Sequence, residues 1–406
     1  MKIVFFYYDY QEKIGKKNRV EFPPLGLLSI CSVAEKIDCD VEVVTLTKET
    51  KINKIPRADV YGYAITSSVN YPFFLEIVPK LKSRAKLHIA GNTQANIFPE
   101  LVLNDLSLDA VFQGESENSF YKWILDGCKK KGIISGSRVD VNSIPMLARH
   151  LLPENKIYLN QRVGGEYDNV ISMISSRGCP FYCTYCAAQN KGKVYFRSLE
   201  NFQEELEHVI SVYDKCRGVT LMDETFTLCQ DHAVGIAEAF KKYGLIWECN
   251  SRADTINVEM AKKFLECNCR EVKIGLETGS QFLLNKMKKG INLIKSKAII
   301  KIIGSLGLPI KLYIMHGFPG ENMSTTKETI KCLSELRPFL HRIAVYRFSP
   351  LPGSAIYSDF KQRGFRWSQF TIYKNNTNWW CNKDEYKELE SSYELLTNSV
   401  CEMFRR

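Results

Sequence analysis

The sequence predicts an α/β protein of two domains, in which a doubly wound, Rossmann-like parallel sheet precedes a partial (β/α)6 TIM-type barrel and a short C-terminal helical extension. Short β-rich runs alternate with helix-length segments over about the first 130 residues, the alternation breaks between Gly132 and Gly165, and a second series begins at Ile171. Such alternation is typical of parallel sheets. The length of 406 residues also exceeds what one hydrophobic core usually supports. We expect a Rossmann domain at 1–135, a linker at 136–168, the barrel at 169–360 and the extension at 361–406.

The first series alternates strand-like and helix-like segments in regular order. In chain order they are Lys2 to Tyr8, Leu25 to Lys36, Val41 to Leu46, Val60 to Ile65, Pro72 to Arg84, Leu87 to Ala90, Glu100 to Leu103, Ala110 to Phe112 and Ser116 to Lys130. Ligands of doubly wound sheets bind beyond the carboxyl ends of the strands. Binding residues are therefore expected in the loops that follow the strands.

The second series contains six strand candidates separated by helical patterns. The strand candidates are Ile171 to Ser175, Gly218 to Met222, Ile246 to Asn250, Glu271 to Ile274, Lys311 to His316 and Ile343 to Phe348. Helical patterns between or after them include Phe202 to Tyr213 and Thr325 to Leu336. Six βα units suit a partial TIM-type barrel, in which the loops after the strands carry the chemistry.

The C-terminal extension combines aromatic residues with an amphipathic stretch from Glu385 to Phe404. Phe370, Tyr373, Trp379 and Trp380 either line a substrate channel or pack the extension over the barrel. We favour packing, because large aromatic side chains are usually buried.

Composition and charge exclude several classes of protein. Hydrophobic residues make up 45% of the chain and charged residues 25%, which is typical of a folded protein. The N-terminus has no signal-peptide pattern and no apolar run reaches membrane-span length, so we expect a cytoplasmic protein with no membrane partner. The net charge of +10 is spread along the chain, which favours a solvated basic surface over a nucleic-acid groove.

A cysteine-rich loop directly follows the strand candidate Ile171 to Ser175. It contains Cys179, Cys183 and Cys186 in the spacing C-x3-C-x2-C. Three thiolates at this spacing can bind three irons of a [4Fe–4S] cube and leave the fourth iron open. Structural zinc needs a fourth ligand, and the next cysteine, Cys216, is thirty residues on without a C-x2-C partner. We favour the cluster over structural zinc and over three unrelated core cysteines.

This loop resembles the motif of the radical SAM superfamily, C-x3-C-x-aromatic-C, with Tyr185 at the aromatic position. The resemblance implies a [4Fe–4S] cluster on the three cysteines, with S-adenosylmethionine (SAM) bound to its open iron. In the family, one electron from the cluster cleaves SAM to methionine and a 5′-deoxyadenosyl radical, which abstracts a hydrogen atom from the substrate. It also implies an electron donor such as flavodoxin or ferredoxin.

Loops after the later strand candidates resemble further motifs of the family. They are Leu221 to Phe226, Trp247 to Asp254, Ile274 to Ser280, Gly317 to Glu321 and Phe348 to Ser354. The SAM-binding residues that the resemblance implies are Tyr185, Asp223, Glu224, Arg252 and Glu277. In this interpretation Arg252 pairs with the SAM carboxylate, and Glu277 accepts hydrogen bonds from the ribose hydroxyls. Read singly, each segment is also an ordinary turn or a solvated acid.

The first domain resembles the cobalamin-binding domain that precedes the radical SAM domain in one group of the family. The cobalamin-binding residues that the resemblance implies are Pro24, Leu25, Gly26, Ser67, Gly91, Gln94, Asn96, Gly114 and Glu115. Asn92, Gln94 and Asn96 replace the commoner Gly, His and Thr, and no D-x-H-x-x-G motif offers a histidine to cobalt. Amide side chains can still hydrogen-bond a corrin amide or the nucleotide tail. We therefore expect cobalamin, and a domain that has lost it stays open.

Small residues near a strand end in the first domain allow two interpretations. Gly62, Ala64, Ser67 and Ser68 would let a flat macrocycle approach the backbone, or they are ordinary strand and turn composition.

The resemblance implies a cobalamin-dependent radical SAM enzyme, with methylation of an unactivated carbon through a 5′-deoxyadenosyl radical and methylcobalamin as the expected reaction. Cyclisation, rearrangement or other non-methylating radical chemistry, with or without cobalamin, is the alternative, and a noncatalytic cluster-bearing binding or regulatory module is the second. The expected substrate is a small molecule or a peptide or protein, and nucleic acid is not expected. The residues that transfer protons are not identified by the sequence.

Overall fold

The computed structural model describes residues 1–8, 23–153, 157–159, 169–364, 366–370 and 380–405. The chain divides into two compact units. The first comprises the described residues within Met1–Asn160 and Phe365–Tyr373, and the second those within Gln161–Gly364 and Lys374–Arg406.

The first unit is built on a six-stranded, fully parallel sheet in the order β2-β1-β3-β4-β5-β6. Its strands are β1 (Lys2–Tyr8), β2 (Asp40–Leu46), β3 (Ala58–Ala64), β4 (Ala85–Gly91), β5 (Ala110–Gln113) and β6 (Gly132–Ser135). Its α-helices span Leu25–Glu35, Tyr71–Leu81, Thr93–Ile97, Pro99–Asp105 and Glu117–Leu125, and 3-10 turns span Ile52–Lys54, Lys82–Arg84 and Arg149–Leu151. The doubly wound sheet predicted for this part of the chain is confirmed.

Strand β6 was not predicted, because the alternation was read as breaking at its first residue, Gly132. Gly132 pairs with Ala110 and Ser135 with Gln113, so β6 lies beside β5 at the edge of the sheet. A four-residue strand that begins with glycine carries too little pattern to be recognised from sequence.

Both faces of this sheet are covered, as in other parallel sheets. On one face Phe6, Tyr63 and Phe74 pack together, and on the other Phe5 packs with Phe120. This second layer needs a glycine, because a Cβ on Gly62 would lie 2.3 Å from the Phe5 ring. The space beside Gly62 is therefore filled by Phe5, and at this position the interpretation as ordinary strand composition holds.

The second unit contains six parallel strands in the order β15-β14-β13-β12-β11-β8. The short strand β7 (Tyr158–Leu159) falls within the residue range of the first unit. The strands of the second unit are β8 (Val170–Met173), β9 (Ser176–Arg177), β10 (Tyr195–Phe196), β11 (Gly218–Leu221), β12 (Ile246–Ser251), β13 (Cys269–Glu277), β14 (Ile310–His316) and β15 (Arg342–Arg347). Helices span Leu199–Val212, Gln230–Lys242, Val258–Glu266, Gln281–Lys286, Leu293–Ser305, Met323–Leu336, Tyr357–Gln362 and Lys383–Phe404. The six βα units predicted from the sequence are confirmed.

The strands of the second unit have two distinct faces. On β14, Ile310, Leu312 and Ile314 are fully buried, which marks the face covered by helices. The alternate residues Lys311 and Tyr313 are only partly buried and lie on the opposite face, which we call the inner face. Because side chains alternate along a strand, residues in register with Lys311 on neighbouring strands share this face.

The C-terminal helix Lys383–Phe404 begins at a capping box, in which Asn382 accepts from the backbone of Glu385 and the Glu385 side chain accepts from the backbone of Asn382. Trp380 is 5% exposed, and its indole N–H donates to the carbonyl of Phe348 at 3.2 Å. Trp380 is therefore packed within the second unit, as the packing interpretation predicts. Tyr373, Trp379 and the side chain of Phe370 lie outside the described residues.

Within the described ranges, every helix is too short or too polar to span a membrane.

Candidate functional site

The cysteine loop of the second unit leaves the short strand β9 and is closed by backbone hydrogen bonds. The N–H of Cys179 donates to the carbonyl of Asn190 at 2.9 Å, and the N–H of Gly192 donates to the carbonyl of Cys179 at 2.8 Å. Gly178 has a φ of +99°, and a Cβ there would lie 2.2 Å from the carbonyl oxygen of Lys193. Only glycine fits this turn without movement of the backbone.

The three cysteines predicted as cluster ligands share one neighbourhood in this loop. Cys183 is 7% exposed, and Cys179 and Cys186 are partly buried. Burial raises the pKa of Cys186, an N–H from Ala188 lowers it, and the nearby Cys183 and Cys179 raise it again. No three His, Cys, Asp or Glu side chains within the described ranges are gathered around a single-ion site. In a four-iron cube each thiolate binds a different iron, so three separate thiols fit that group.

Arg252, which follows β12, places a cation beside the cysteine loop. Its Nη1 lies 3.8 Å from the sulfur of Cys183, and its guanidinium lies 3.5 Å from the centre of the Phe181 ring. Asp254 accepts two hydrogen bonds from it at 2.9 Å, and the carbonyl of Lys289 accepts one at 2.8 Å. These partners use four of the five N–H groups of an arginine. The remaining contact of the guanidinium places its positive charge directly beside the sulfur of Cys183.

A buried network joins Tyr185 and Glu277, two of the predicted SAM residues, to Lys289. The carboxylate of Glu277 accepts from the Tyr185 hydroxyl at 2.9 Å and from the Lys289 ammonium at 2.9 Å. The ammonium also lies 3.1 Å from the Tyr185 oxygen. Burial, and then the charge of Glu277, raise the pKa of Tyr185 well above its usual value, so the phenol stays a donor. Lys289 was not predicted, because nothing in the sequence distinguishes it from the other lysines.

The backbone around Glu277 is specialised for this network. The register between β13 and β14 shifts between Gly275 and Glu277, and Glu277 has a φ of +71°. A Cβ on Gly275 would lie 2.5 Å from the carboxylate and 3.1 Å from the Lys289 ammonium. Non-glycine residues with positive φ are uncommon and cluster at functional sites.

The predicted acids Asp223 and Glu224 hold the cysteine loop from the neighbouring strand end. Asp223 is fully buried and accepts from the backbone N–H of Ser175 at 3.1 Å, from its hydroxyl at 2.8 Å and from the Ser176 hydroxyl at 2.5 Å. Glu224 accepts from the N–H of Gly178 at 3.2 Å. Burial raises the pKa of both acids. Their SAM-binding role stays a prediction, and their contacts give them a part in shaping the loop.

In the first unit, the loops after β3 and β4 meet through Gln94. Its Oε1 accepts from the Ser68 hydroxyl at 2.8 Å, and its backbone N–H donates to the carbonyl of Ile65 at 3.0 Å. Gln94 is fully buried, and its Nε2 has no hydrogen-bond partner among the residues that the structure describes. A buried amide nitrogen without an acceptor costs free energy, so we expect a hydrogen-bond acceptor beside this donor. Ser67, the predicted neighbour of Ser68, is partly buried.

The loops after β4 and β5 meet through Asn96. Its Oδ1 accepts from the backbone N–H of Gly114 at 2.7 Å, and Gly114 has a φ of +85°. The carboxylate of Glu115 accepts from the N–H of Val139 at 2.9 Å. Asn92 has a φ of +77°, in the region that favours glycine, and its side chain caps the helix Thr93–Ile97.

The remaining predicted residues of the first unit flank this edge of the sheet. Pro24, Leu25 and Gly26 form the start of the helix Leu25–Glu35, and a Cβ on Gly26 would lie 3.9 Å from the side-chain nitrogen of Asn92. Gly91 ends β4, and its carbonyl accepts from Ile65 at 3.1 Å. The structure thus brings the predicted residues together at the carboxyl end of the sheet, where doubly wound sheets bind ligands.

Known proteins resemble this chain over part or most of its length. The model of the family described as "Radical SAM superfamily" matches residues 173–333. The chain is 28% identical over 388 residues to an uncharacterised methyltransferase of Pyrococcus horikoshii, covering 88% of this chain and 82% of the relative. It is 24% identical over 368 residues to the bacteriochlorophyllide d C-12(1)-methyltransferase of Chlorobaculum tepidum, covering 86% and 76%.

A solved structure shares the fold of the chain. The radical SAM methyltransferase TsrM from Kitasatospora setae, solved with cobalamin and a [4Fe–4S] cluster, gives a TM-score of 0.67 at 13% identity and covers 89% of this chain and 75% of its own. These matches identify residues 173–333, which contain the cysteine loop, as a radical SAM domain, and the chain as a whole shares the fold of TsrM.

Proposed function

We propose that the protein is a cobalamin-dependent radical SAM enzyme that methylates an unactivated carbon of its substrate. The observation that carries the proposal is the cysteine loop at the end of the first barrel strand, in which the sulfur of Cys183 lies 3.8 Å from the Arg252 guanidinium. The methyltransferase relatives from Pyrococcus horikoshii and Chlorobaculum tepidum, which align over most of this chain, support methyl transfer as the reaction.

The second unit supplies the residues that would hold the cluster and SAM. Cys179, Cys183 and Cys186 offer three separate thiolates, and Arg252 offsets negative charge beside Cys183. When bound, the cluster supplies the electron that cleaves SAM, and cobalamin supplies the methyl group.

The buried network of Tyr185, Glu277 and Lys289 fixes the carboxylate of Glu277 at the carboxyl end of β13. The ammonium of Lys289 and the hydroxyl of Tyr185 both donate to its Oε1, which leaves Oε2 with no hydrogen bond among the described contacts. A carboxylate oxygen held in this way can accept from ribose hydroxyls, which is the role proposed for Glu277 in binding SAM.

A buried hydrogen-bond donor without a partner among the described residues makes the first unit suitable for a corrin ring. Gln94 is buried with a free Nε2 donor, and a corrin ring carries amide side chains that accept hydrogen bonds. Gly91 and Ser67 are partly buried and Gly114 is exposed, so this edge of the sheet is open to solvent in part. These residues would hold cobalamin.

The proposed function is tested first by cofactor retention. The full chain is purified anaerobically, its cluster is reconstituted with and without cobalamin, and absorption spectra are recorded after desalting. Retention of one corrinoid per chain is expected. Gln94→Leu should weaken corrinoid retention while leaving the cluster absorbance unchanged, because it removes the free amide but keeps the apolar contacts. Native protein that retains no corrinoid would overturn the cobalamin-dependent mechanism.

SAM cleavage tests the cluster assignment. Cys183→Ala is expected to abolish the formation of 5′-deoxyadenosine, since it removes one of three iron ligands. Cys332→Ala is the matched control, because Cys332 is 3% exposed but lies on the helix Met323–Leu336, away from the cysteine loop. Cleavage that persists in Cys183→Ala would reject the assignment. A loaded cluster that never cleaves SAM would instead favour a binding or regulatory module.

A further inference from the structure

The inner face of the barrel carries three cations in one row. Lys273 on β13 is in register with Lys311 on β14, and Lys311 is in register with Arg342 on β15. Like charges directly opposite each other on neighbouring strands are destabilising unless anions offset them.

Two acids offset the outer members of this row. Glu248 lies 2.5 Å from the Lys273 ammonium, and Glu271 accepts two hydrogen bonds from Arg342 at 2.7 Å. Glu271 is fully buried and forms a bidentate ion pair with Arg342. Lys311, in the middle, has no acidic partner within 4 Å among the described residues, and its ammonium lies 4.9 Å from the centre of the Tyr313 ring. The row therefore carries three cations against two acids, and the described part of the chain offers no ion pair to Lys311.

Two tyrosines follow Lys311 on the inner face, and their hydroxyls make no hydrogen bonds to other described residues. Tyr313 lies two residues above Lys311 on the same face, and its ring centre is 5.7 Å from that of Tyr346. Tyr346 is 56% exposed, so the face is open to solvent here. Burial raises the pKa of both tyrosines, which keeps their hydroxyls protonated as donors. An ammonium and two hydroxyl donors are the groups that bind an oxyanion.

We propose that Lys311, Tyr313 and Tyr346 bind an oxyanion of the substrate, a phosphate or a carboxylate group, on the inner face of the barrel. Burial lowers the pKa of Lys311, and the neighbouring Arg342 and Lys273 lower it further against the opposing charge of Glu271. A bound oxyanion would stabilise the charged form of the Lys311 ammonium. The proposal rests on the proposed function, because it identifies the anion as part of the substrate.

The position of this site also limits the shape of the substrate. Tyr313 is in register with Gly275, and Gly275 is the residue whose missing side chain leaves room for the Glu277 carboxylate. Lys311 is in register with Lys273, four residues before Glu277, which is roughly 13 Å along a strand. A substrate held by its oxyanion at Lys311 would therefore extend towards the SAM residues by about that distance.

The test measures anion binding directly on the full anaerobic protein. Inorganic phosphate at millimolar concentration is observed by the line width of its phosphorus resonance, and acetate by its proton resonance in a separate arm. Native protein should broaden one of the two, and the anion preferred tells phosphate from carboxylate. K311Q should raise the Kd of that anion about tenfold or more, as expected when a charge-assisted hydrogen bond is lost. K311R should retain binding, and Y313F should weaken it several-fold.

Lys327 provides the matched control, since it is an exposed lysine on the helix Met323–Leu336. K327Q should leave the Kd unchanged. Equal broadening by native protein and K311Q, or none by native protein, would overturn the anion site. Native protein that binds phosphate through Lys311 but never cleaves SAM keeps the anion site and rejects the proposed function instead.

Discussion

Replacing Lys289 by methionine should destabilise the second unit by about 3 kcal/mol, because it leaves a buried carboxylate without its cation. The side chain of Lys289 is 6% exposed and that of Glu277 is 11% exposed, so water screens this pair little. In Lys289→Met, Glu277 keeps only the 2.9 Å hydrogen bond from Tyr185. Methionine has nearly the length of the lysine stem, so the loss reports mainly on the charge and not on packing.

The double variant Lys289→Met/Glu277→Gln should recover part of this loss. With both charges removed, the glutamine still accepts from the Tyr185 hydroxyl and no buried ion lacks a partner. The coupling energy between the two substitutions should be about 2 kcal/mol, within the range for residues in direct contact. Lys295→Met, on an exposed position of the helix Leu293–Ser305, is the control and should change stability by less than about 0.5 kcal/mol.

Hydrogen exchange of the peptides that cover β13 is the appropriate assay, because two compact units can unfold separately and one global unfolding free energy would then mix them. The opening free energy of β13 is compared among five proteins under identical anaerobic conditions: native protein, Lys289→Met, Glu277→Gln, the double variant and Lys295→Met. A loss below about 1 kcal/mol in Lys289→Met, or effects that simply add in the double variant, would refute the reasoning.

Three further predictions concern the cysteine loop and two buried titratable groups. Gly178→Ala should lower the iron content per chain, while Gly244→Ala, with φ of +66° but no atom within 4 Å of its Cβ, should leave it unchanged; equal iron contents would contradict the clash. Burial lowers the pKa of His316 from 6.5 to about 3, so the folded state holds the imidazole neutral. Stability should therefore fall by roughly 2 kcal/mol between pH 6.5 and pH 5, and hydrogen exchange of the β14 peptides should show no such loss in His316→Gln. Burial raises the pKa of Glu321 from 4.5 to about 7, so stability should fall as the pH rises through that interval, by up to about 3 kcal/mol, and a Glu321→Gln variant with the same pH dependence as native protein would exclude this origin.

The strands of the second unit were predictable because each is an apolar run between turn residues. The prediction Lys311 to His316 differs from the observed strand Ile310–His316 by one residue. Strand β13 was predicted too short, as Glu271 to Ile274, whereas it spans Cys269–Glu277. Its missing end contains Gly275 and the positive φ of Glu277, and glycine in a strand usually marks an interruption or a bulge.

The cluster ligands were predictable because their spacing lies within one loop, and the charge network was not. Lys289 meets Glu277 across the helix Gln281–Lys286, and this meeting depends on how β13 bends at its end. The alternation of β14 places Lys311 on the inner face, but which cations on that face find acids is decided by the register of β12 to β15. No local sequence pattern predicts which distant strands pair or in what register.

The hydrogen bonds between Asp223 and the start of the cysteine loop limit how early the loop can form during synthesis of the chain. Asp223 binds Ser175 and Ser176, which are more than forty residues earlier in the chain, once β11 has paired with β8. Arg252 reaches Cys183 from still further along. A nascent chain that has exposed all three cysteines therefore still lacks the groups that shape and neutralise their loop. The loop can therefore take its final shape only after the third barrel strand and Arg252 have been synthesised.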